Sequence, residues 1–177
     1  NGSSQNLNKI NSWSPELFTK GHRNPQGMAI NPTTNEIWVN EHGPKGGDEI
    51  NIIKLGKNYG WPIVTFGEEY WGGKVGQGIT TLKGFEDPIW YWVPSIAPSG
   101  MTFYDKNMFP EFKGNLLVSS LKFKSIYLVE LKDGMPTKEK VLFKNRFGRI
   151  RDIEQLKDGS ILVISDEKKG GIYKIYR

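Results

Sequence analysis

Short hydrophobic segments recur in the same order three times along the chain. The nine segments are residues 27–30, 37–39, 50–53, 100–103, 116–118, 126–129, 150–153, 161–164 and 172–175. Within each repeat, turn-forming residues separate the first segment from the second: Asn31-Pro32, Gly114-Asn115 and Asp158-Gly159. No long window carries the 3.6-residue period of a helix. The pattern predicts an all-β chain of antiparallel strands with almost no helix.

The spacing of the repeats is typical of a β-propeller, in which sheets of about four short strands recur every ~40–50 residues. The central segment of the third repeat begins 45 residues after that of the second, at Ile161 against Leu116. The corresponding interval between the first two repeats is 79 residues, which predicts a long inserted loop at 67–92. We therefore expect about three four-stranded blades, with strand centres near Val39, Ile52, Val118, Leu128, Val163 and Tyr173.

Both ends of the chain carry single strand-like segments. Residues 16–20 predict one strand before the first repeat, and residues 140–143 predict an outer strand for the second. The third repeat lacks a fourth segment. Exposed strand edges tend to pair with other chains, so we expect the edges at 17–20 and 172–176 to pair with a missing N-terminal half or a second copy. The chain has no initiating Met or secretory signal segment, which predicts a processed product or a piece of a longer protein.

Composition narrows the class of protein. Of 177 residues, 37% are hydrophobic and 24% are charged, as in a globular protein. The net charge is +5, but most basic residues stand alone, which argues against a nucleic-acid partner. The absence of cysteine excludes disulfides and cysteine-based zinc sites. No apolar run approaches the roughly 18 residues of a membrane span, so none is predicted.

Two loop-like stretches, residues 21–27 and 43–49, hold charged and amide side chains among glycines and prolines. Arginine, asparagine and free backbone carbonyls on loops can hold an anionic ligand together with a hard cation. The alternative is that these are two tight turns with solvated charges.

Six short motifs in the chain occur in a fixed order: GHRNPQG from Gly21, EHGPKGGDEIN from Glu41, GKNYGWP from Gly56, PSIAPSG from Pro94, SLK from Ser120 and RIRD from Arg149. In these motifs the chain resembles the soluble quinoprotein sugar dehydrogenases, the aldose and glucose dehydrogenases that use pyrroloquinoline quinone (PQQ). The resemblance implies a six-bladed β-propeller, of which residues 1–177 would form the C-terminal half.

The resemblance also implies the cofactor site. Arg23 and Asn24 match the pair that contacts the quinone end of PQQ, and Ser95 matches a small hydroxyl residue near it. The carbonyl oxygens of Gly43 and Pro44 match the ligands of the cofactor-bound Ca²⁺. The basic residues that match those pairing with the cofactor carboxylates are Lys122, Arg149 and Arg151.

Arg149 and Arg151 alternate along one predicted strand, so both side chains lie on one face and repel each other unless an anion lies between them. Asp152 faces the opposite way and is poorly placed to be that anion. The pattern therefore favours an external anion over a carboxylate of the protein.

Other titratable residues in these motifs are less clearly assigned. Glu49, with the carbonyl of Tyr59, matches a segment that binds a structural Ca²⁺ in the family; a salt bridge from Glu49 to Arg23 is the alternative. Asp48 and Glu49 are adjacent on a strand and face opposite ways, so they are not a catalytic pair. Neither His22 nor His42 matches the family's catalytic base, which we expect in the missing N-terminal half.

The resemblance implies the first of three candidate functions. The first is an enzyme that uses PQQ and Ca²⁺ to oxidise aldoses at C1 to lactones and passes electrons to an external acceptor. The alternative is a propeller that has lost the cofactor and binds a protein or glycan. A lactonase-like hydrolase is disfavoured because this half of the protein lacks the acidic metal cage expected of one. The resemblance implies a periplasmic or extracellular location.

Overall fold

The computed structural model describes residues 14 and 16–177 and contains three antiparallel sheets. The first sheet comprises β1 (Pro25–Ile30), β2 (Ile37–Glu41), β3 (Asp48–Ile53) and β4 (Trp90–Trp92). The second comprises β5 (Pro98–Tyr104), β6 (Asn115–Ser120), β7 (Ser125–Lys132) and β8 (Met135–Leu142). The third comprises β9 (Ile150–Gln155), β10 (Ile161–Ser165) and β11 (Ile172–Ile175).

The prediction of an all-β chain is confirmed. All six predicted strand centres lie within strands, and residues 140–142 of the predicted outer strand at 140–143 form the end of β8. In the described part of the chain the regular helices amount to one 3-10 turn at Pro110–Phe112. Nothing in that part forms a helix long and apolar enough to cross a membrane.

The second sheet is sandwiched between the other two, with one hydrophobic core on each side. Period-two alternation sends one set of its side chains to each core. Leu116 and Val118 pack toward the first sheet with Trp38, whereas Leu117 and Leu128 pack toward the third sheet. This double coverage explains why every residue of β5 is buried.

The first strands of the three sheets lie side by side, with β5 between β1 and β9. This close approach requires glycine on β5, because a Cβ at Gly100 would meet the side chain and Cα of Asp152. The two outward faces of the stack carry exposed apolar side chains. Met28 on β1 is 70% exposed, and Ile172 on β11 is 69% exposed.

The predicted strand at 16–20 is wrong. Among its described residues, only Lys20 forms a bridge, with Asn58, and residues 17–19 lie outside any strand. The segment instead exchanges backbone hydrogen bonds with the loop at 56–59, so the first sheet ends at β1. The insertion at 67–92 stays a prediction. Residues 54–89 connect β3 to β4 through isolated bridges, while residues 90–92 form β4 itself.

Candidate cofactor and metal site

Most of the predicted site residues lie at one end of the stacked sheets. The inner strands β1, β5 and β9 begin at this end, and the central strands β2, β6 and β10 finish there. Five of the six motifs therefore lie on one rim, as the corresponding loops of propeller blades do. The sixth, GKNYGWP, lies in the connection that leaves β3 at the other end of its sheet.

Arg23 is held by two other loops, the one after β2 and the long connection between β3 and β4. Its Nη1 donates to the carbonyl oxygen of His42 at 3.2 Å, and its Nη2 lies 3.4 Å from the hydroxyl of Tyr70. Its guanidinium lies over the ring of Trp61, 5.3 Å from the centroid. The backbone N–H donates to the buried carboxylate of Glu41 at 2.7 Å. These contacts hold the Arg23 guanidinium in one position without a bound anion.

Asn24 connects this loop to the third sheet. Its side-chain nitrogen lies 3.4 Å from His42 Nδ1, and its oxygen accepts from Gln26 Nε2 at 2.9 Å. The oxygen of Gln26 lies 3.4 Å from Arg151 Nη1. Side chains 125 positions apart in sequence therefore share one hydrogen-bonded chain.

Arg149 and Arg151 share a carboxylate of the protein, which corrects the prediction of an external anion between them. Asp166 Oδ2 lies 2.6 Å from Arg151 Nη2 and 3.7 Å from Arg149 Nη2. The hydrogen bond from Arg151 holds the pKa of Asp166 below its ordinary value. Asp166 follows β10, the neighbour of β9 in the sheet. The prediction considered only the residues of one strand and therefore could not include Asp166. Two cations and one anion still leave a net positive charge that faces solvent.

The Gly43–Pro44 segment offers carbonyl oxygens to a cation. Gly43 donates its N–H to Asp48 Oδ1 at 3.0 Å, and Pro44 packs against Gly67. Within the described residues no hydrogen bond reaches the carbonyl oxygen of Gly43 or of Pro44. Free carbonyls on a constrained loop are suitable ligands for a hard cation such as Ca²⁺. The residues present therefore fit the ion that the resemblance implies.

Ser95 and Lys122 lie on the loops of the second sheet at the same rim. The hydroxyl of Ser95 donates to Asp48 Oδ2 at 2.7 Å, so its proton is engaged within the protein. The backbone N–H of Lys122 donates to the carbonyl oxygen of Ile96 at 3.3 Å. The Lys122 ammonium is exposed and lies 5.2 Å from the centroid of the Phe123 ring.

Two buried carboxylates lie together beside this rim. The side-chain nitrogen of Asn51 donates to Glu41 at 3.2 Å and to Glu49 at 3.1 Å, while its own oxygen is buried without a partner. Burial is the main cause that raises the pKa of Glu49 to about 7, and the Asn51 hydrogen bond opposes it. Glu49 and Tyr59 line one narrow cleft together with Gly43.

This cluster bears on the prediction of a structural Ca²⁺ at Glu49. The alternative salt bridge between Arg23 and Glu49 is not formed among the described residues; Glu49 binds Asn51 instead. Nor does the described part group three or more acidic or histidine side chains as ligands, so a Ca²⁺ at Glu49 needs backbone carbonyls such as that of Tyr59. The unpartnered oxygen of Asn51 is compatible with a cation nearby.

Both histidines are occupied by structural contacts. His22 lies between Thr19 and Glu41, at 2.9 and 2.8 Å, and stacks on the ring of Tyr59. His42 Nε2 lies 2.6 Å from the carbonyl oxygen of Pro98. These contacts suit loop-holding residues and agree with leaving the catalytic base unassigned.

Sequence reasoning missed three residues that organise the rim: Glu41, Asp48 and Asp166. The repeat pattern could have indicated Asp166. It follows the central strand of its sheet directly, as His42 and Leu121 follow theirs. No local signal marks Asp48 as a partner of Ser95. The two residues meet because Asp48 pairs with Trp92 across β3 and β4, and Ser95 follows Trp92 by three residues.

Comparison with known proteins identifies the family. The glucose/sorbosone dehydrogenase family model matches residues 2–174. Aldose sugar dehydrogenase YliI of Escherichia coli is 42% identical over 161 residues, which cover 90% of this chain and 43% of that protein. Quinoprotein glucose dehydrogenase B of Acinetobacter calcoaceticus is 28% identical over 217 residues, covering 89% of this chain and 44% of its own length.

Among solved structures, the apo-form soluble aldose sugar dehydrogenase of Escherichia coli superposes with a TM-score of 0.88 at 40% identity, covering 96% of this chain and 49% of that one. The chain thus spans about half the length of the relatives it matches, and the propeller architecture predicted from the repeats is confirmed. The chain belongs to the glucose/sorbosone dehydrogenase family, and its three sheets match part of the aldose dehydrogenase propeller.

Proposed function

We propose that the protein containing this chain oxidises aldoses at C1 to lactones, with PQQ and Ca²⁺ bound at the rim described above. The observation that carries the proposal is the convergence of Arg23, Asn24, Arg149 and Arg151 on one rim with the free carbonyls of Gly43 and Pro44. Cationic forks and oxygen ligands side by side suit an anionic quinone bound with a hard metal.

Each group has a role in the proposal. The carbonyl oxygens of Gly43 and Pro44 would hold Ca²⁺. Arg23 and Asn24 would bind the quinone end of the cofactor, with Ser95 beside it. Lys122, Arg149 and Arg151 would pair with its carboxylates. A second Ca²⁺ at Glu49 and the carbonyl of Tyr59 would have a structural role.

When bound, PQQ would accept the hydride from C1 of the sugar as the C1 hydroxyl loses its proton. The chain's own residues would fix the cofactor and compensate its negative charge. We propose that the base lies outside this chain, since both histidines are held by other groups. Reoxidation requires an external electron acceptor, and we propose a periplasmic or extracellular location.

Reconstitution tests the proposal. The full-length protein is titrated with PQQ at fixed Ca²⁺, and binding is followed by absorbance. Glucose, further aldoses and a non-reducing sugar are then assayed with an artificial acceptor. We expect Ca²⁺-dependent binding and turnover of the aldoses only. PQQ binding without turnover would contradict the enzymatic role. Absence of PQQ binding would favour a propeller that binds a protein or glycan.

A further inference from the structure

A single buried carboxylate joins two loops of the proposed site. Asp48, the first residue of β3, is fully buried. Its Oδ1 accepts a hydrogen bond from the N–H of Gly43 at 3.0 Å. Its Oδ2 accepts three more, from the hydroxyl of Ser95 at 2.7 Å and from the N–H groups of Ile96 and Ala97 at 2.8 and 2.9 Å. The four donors come from the loop after β2 and the loop before β5.

On the side of the first sheet, Asp48 acts through one peptide plane. The N–H of Gly43 and the carbonyl of His42 belong to the same trans peptide and point in opposite directions. Because Asp48 takes the N–H, the His42 carbonyl points away from Asp48, where it accepts from Arg23 Nη1 at 3.2 Å. The bond therefore sets the orientation of the Gly43 segment and the position of the Arg23 fork together.

On the side of the second sheet, Asp48 stabilises a bend. Ala97 has a φ of 50°, in the left-handed region that costs a non-glycine residue free energy, and its N–H is bound by Asp48. The carbonyl oxygen of Ile96 in turn accepts the N–H of Lys122 at 3.3 Å. The network thus extends from the calcium-ligand segment to the loop that carries Lys122.

We infer that Asp48 is a positioning residue that preorganises the calcium and cofactor loops, an inference that rests on the proposed function. A carboxylate suits this place because it only accepts hydrogen bonds, and all four neighbours are donors. An amide of the same shape would place its own N–H groups against one of these donors. Asp48 itself need not contact the metal, since it acts through the backbone of Gly43 and through Ser95.

Asp48→Asn in the full-length protein tests the inference. We measure the Ca²⁺ concentration that half-saturates PQQ binding, and expect it to rise by about 10- to 100-fold, as for other groups that orient metal ligands. Asp158→Asn is the control for the same substitution at a half-exposed carboxylate far from the rim. Asp158 also accepts bonds from a backbone N–H and a hydroxyl, both of Ser160, but it lies in the turn between β9 and β10 at the opposite end of the sheets. We expect it to change the half-saturation less than twofold.

A second measurement separates positioning from general stability. In the Ca²⁺-free protein, amide hydrogen exchange at Gly43 and Ala97 should accelerate in Asp48→Asn and stay unchanged in Asp158→Asn. If Asp48→Asn does not fold, Ser95→Ala removes one of the four donors, and we expect about a threefold rise in the half-saturating Ca²⁺ concentration.

The outcomes are distinguishable. A parent protein that binds PQQ with Ca²⁺, together with an unchanged half-saturation in Asp48→Asn, would overturn this inference and leave the proposed function intact. Equal weakening by Asp158→Asn would overturn it too, because the effect would then be one of stability. A parent that binds no PQQ would overturn the proposed function, and the inference with it.

Discussion

Arg151 and Asp166 lie 2.6 Å apart where β9 begins and β10 ends, and the same carboxylate lies 3.7 Å from Arg149. One anion between two cations holds both arginines toward the rim without neutralising them. All three side chains are between 43% and 46% exposed, so the ion pairs themselves contribute little to folding. Their arrangement is better suited to binding an anion than to stabilising the sheet.

Replacing both arginines should weaken cofactor binding. Charge-assisted hydrogen bonds contribute about 1.5–3 kcal/mol each, so the Arg149→Ala, Arg151→Ala double variant should bind PQQ at least ~100-fold less tightly. Equilibrium titration of the full-length protein measures this. Arg146→Ala, which removes an exposed arginine that lies over Phe147, is the control and should change little. Unchanged affinity in the double variant would argue for the binding-module alternative.

The hairpin that carries Tyr70 and Trp71 should contribute to sugar binding. Trp71 is 83% exposed, and Tyr70 reaches Arg23 at the rim. Stacking on a sugar ring would bury part of the indole and contribute about 1 kcal/mol. We expect Trp71→Ala to raise KM for glucose roughly fivefold and to leave kcat within twofold. Trp71→Phe should restore most of the loss. A fall in kcat at constant KM would contradict a binding role.

Stability without metal should depend on Glu49. Its pKa is raised to about 7 by burial, above the ordinary value of 4.5. Protonated Glu49 therefore contributes stability that is complete below pH 4.5 and is lost as the pH rises through 7. When a chelator removes Ca²⁺, the free energy of unfolding should fall by roughly 2–4 kcal/mol between pH 4.5 and pH 7.

Urea unfolding at several pH values measures this dependence. Glu49→Gln should remove most of the pH dependence of the free energy of unfolding. Glu68→Gln, which changes an exposed carboxylate, should leave it unchanged. Saturating Ca²⁺ should restore stability at pH 7 in the parent, because the ion binds the ionised carboxylate. The same slope in Glu49→Gln would assign the pH dependence to another group.

The 177 residues by themselves should not oxidise sugars, even with PQQ and Ca²⁺. The chain spans about half of its relatives, and both of its histidines are engaged in other contacts. Exposed apolar side chains such as Met28 and Ile172 should make the isolated chain associate. A glucose assay with an artificial acceptor, with and without the N-terminal half, tests activity, and size-exclusion chromatography tests association. Turnover by the chain alone, near the full-length rate, would mean that His22 or His42 is the base.

The strands could be predicted because their signals are local. The alternation of side chains around Val118 and around Val163 favours a β-strand. Asp158-Gly159 favours a turn in the same local way. The motif residues could be named for the same reason, because the motifs and their order are read directly from the sequence.

The tertiary structure decided which of these residues meet. Residues 16–20 were predicted as a strand from their pattern, yet their backbone groups found partners in the loop at 56–59. Asp166 reaches Arg151 because β9 pairs with β10, and Asp48 reaches Ser95 because β3 pairs with β4, which ends three residues before Ser95. Secondary structure follows from interactions between near neighbours in sequence. The site also depends on contacts between residues up to 125 positions apart, whose geometry exists only once the strands are paired and the sheets are stacked.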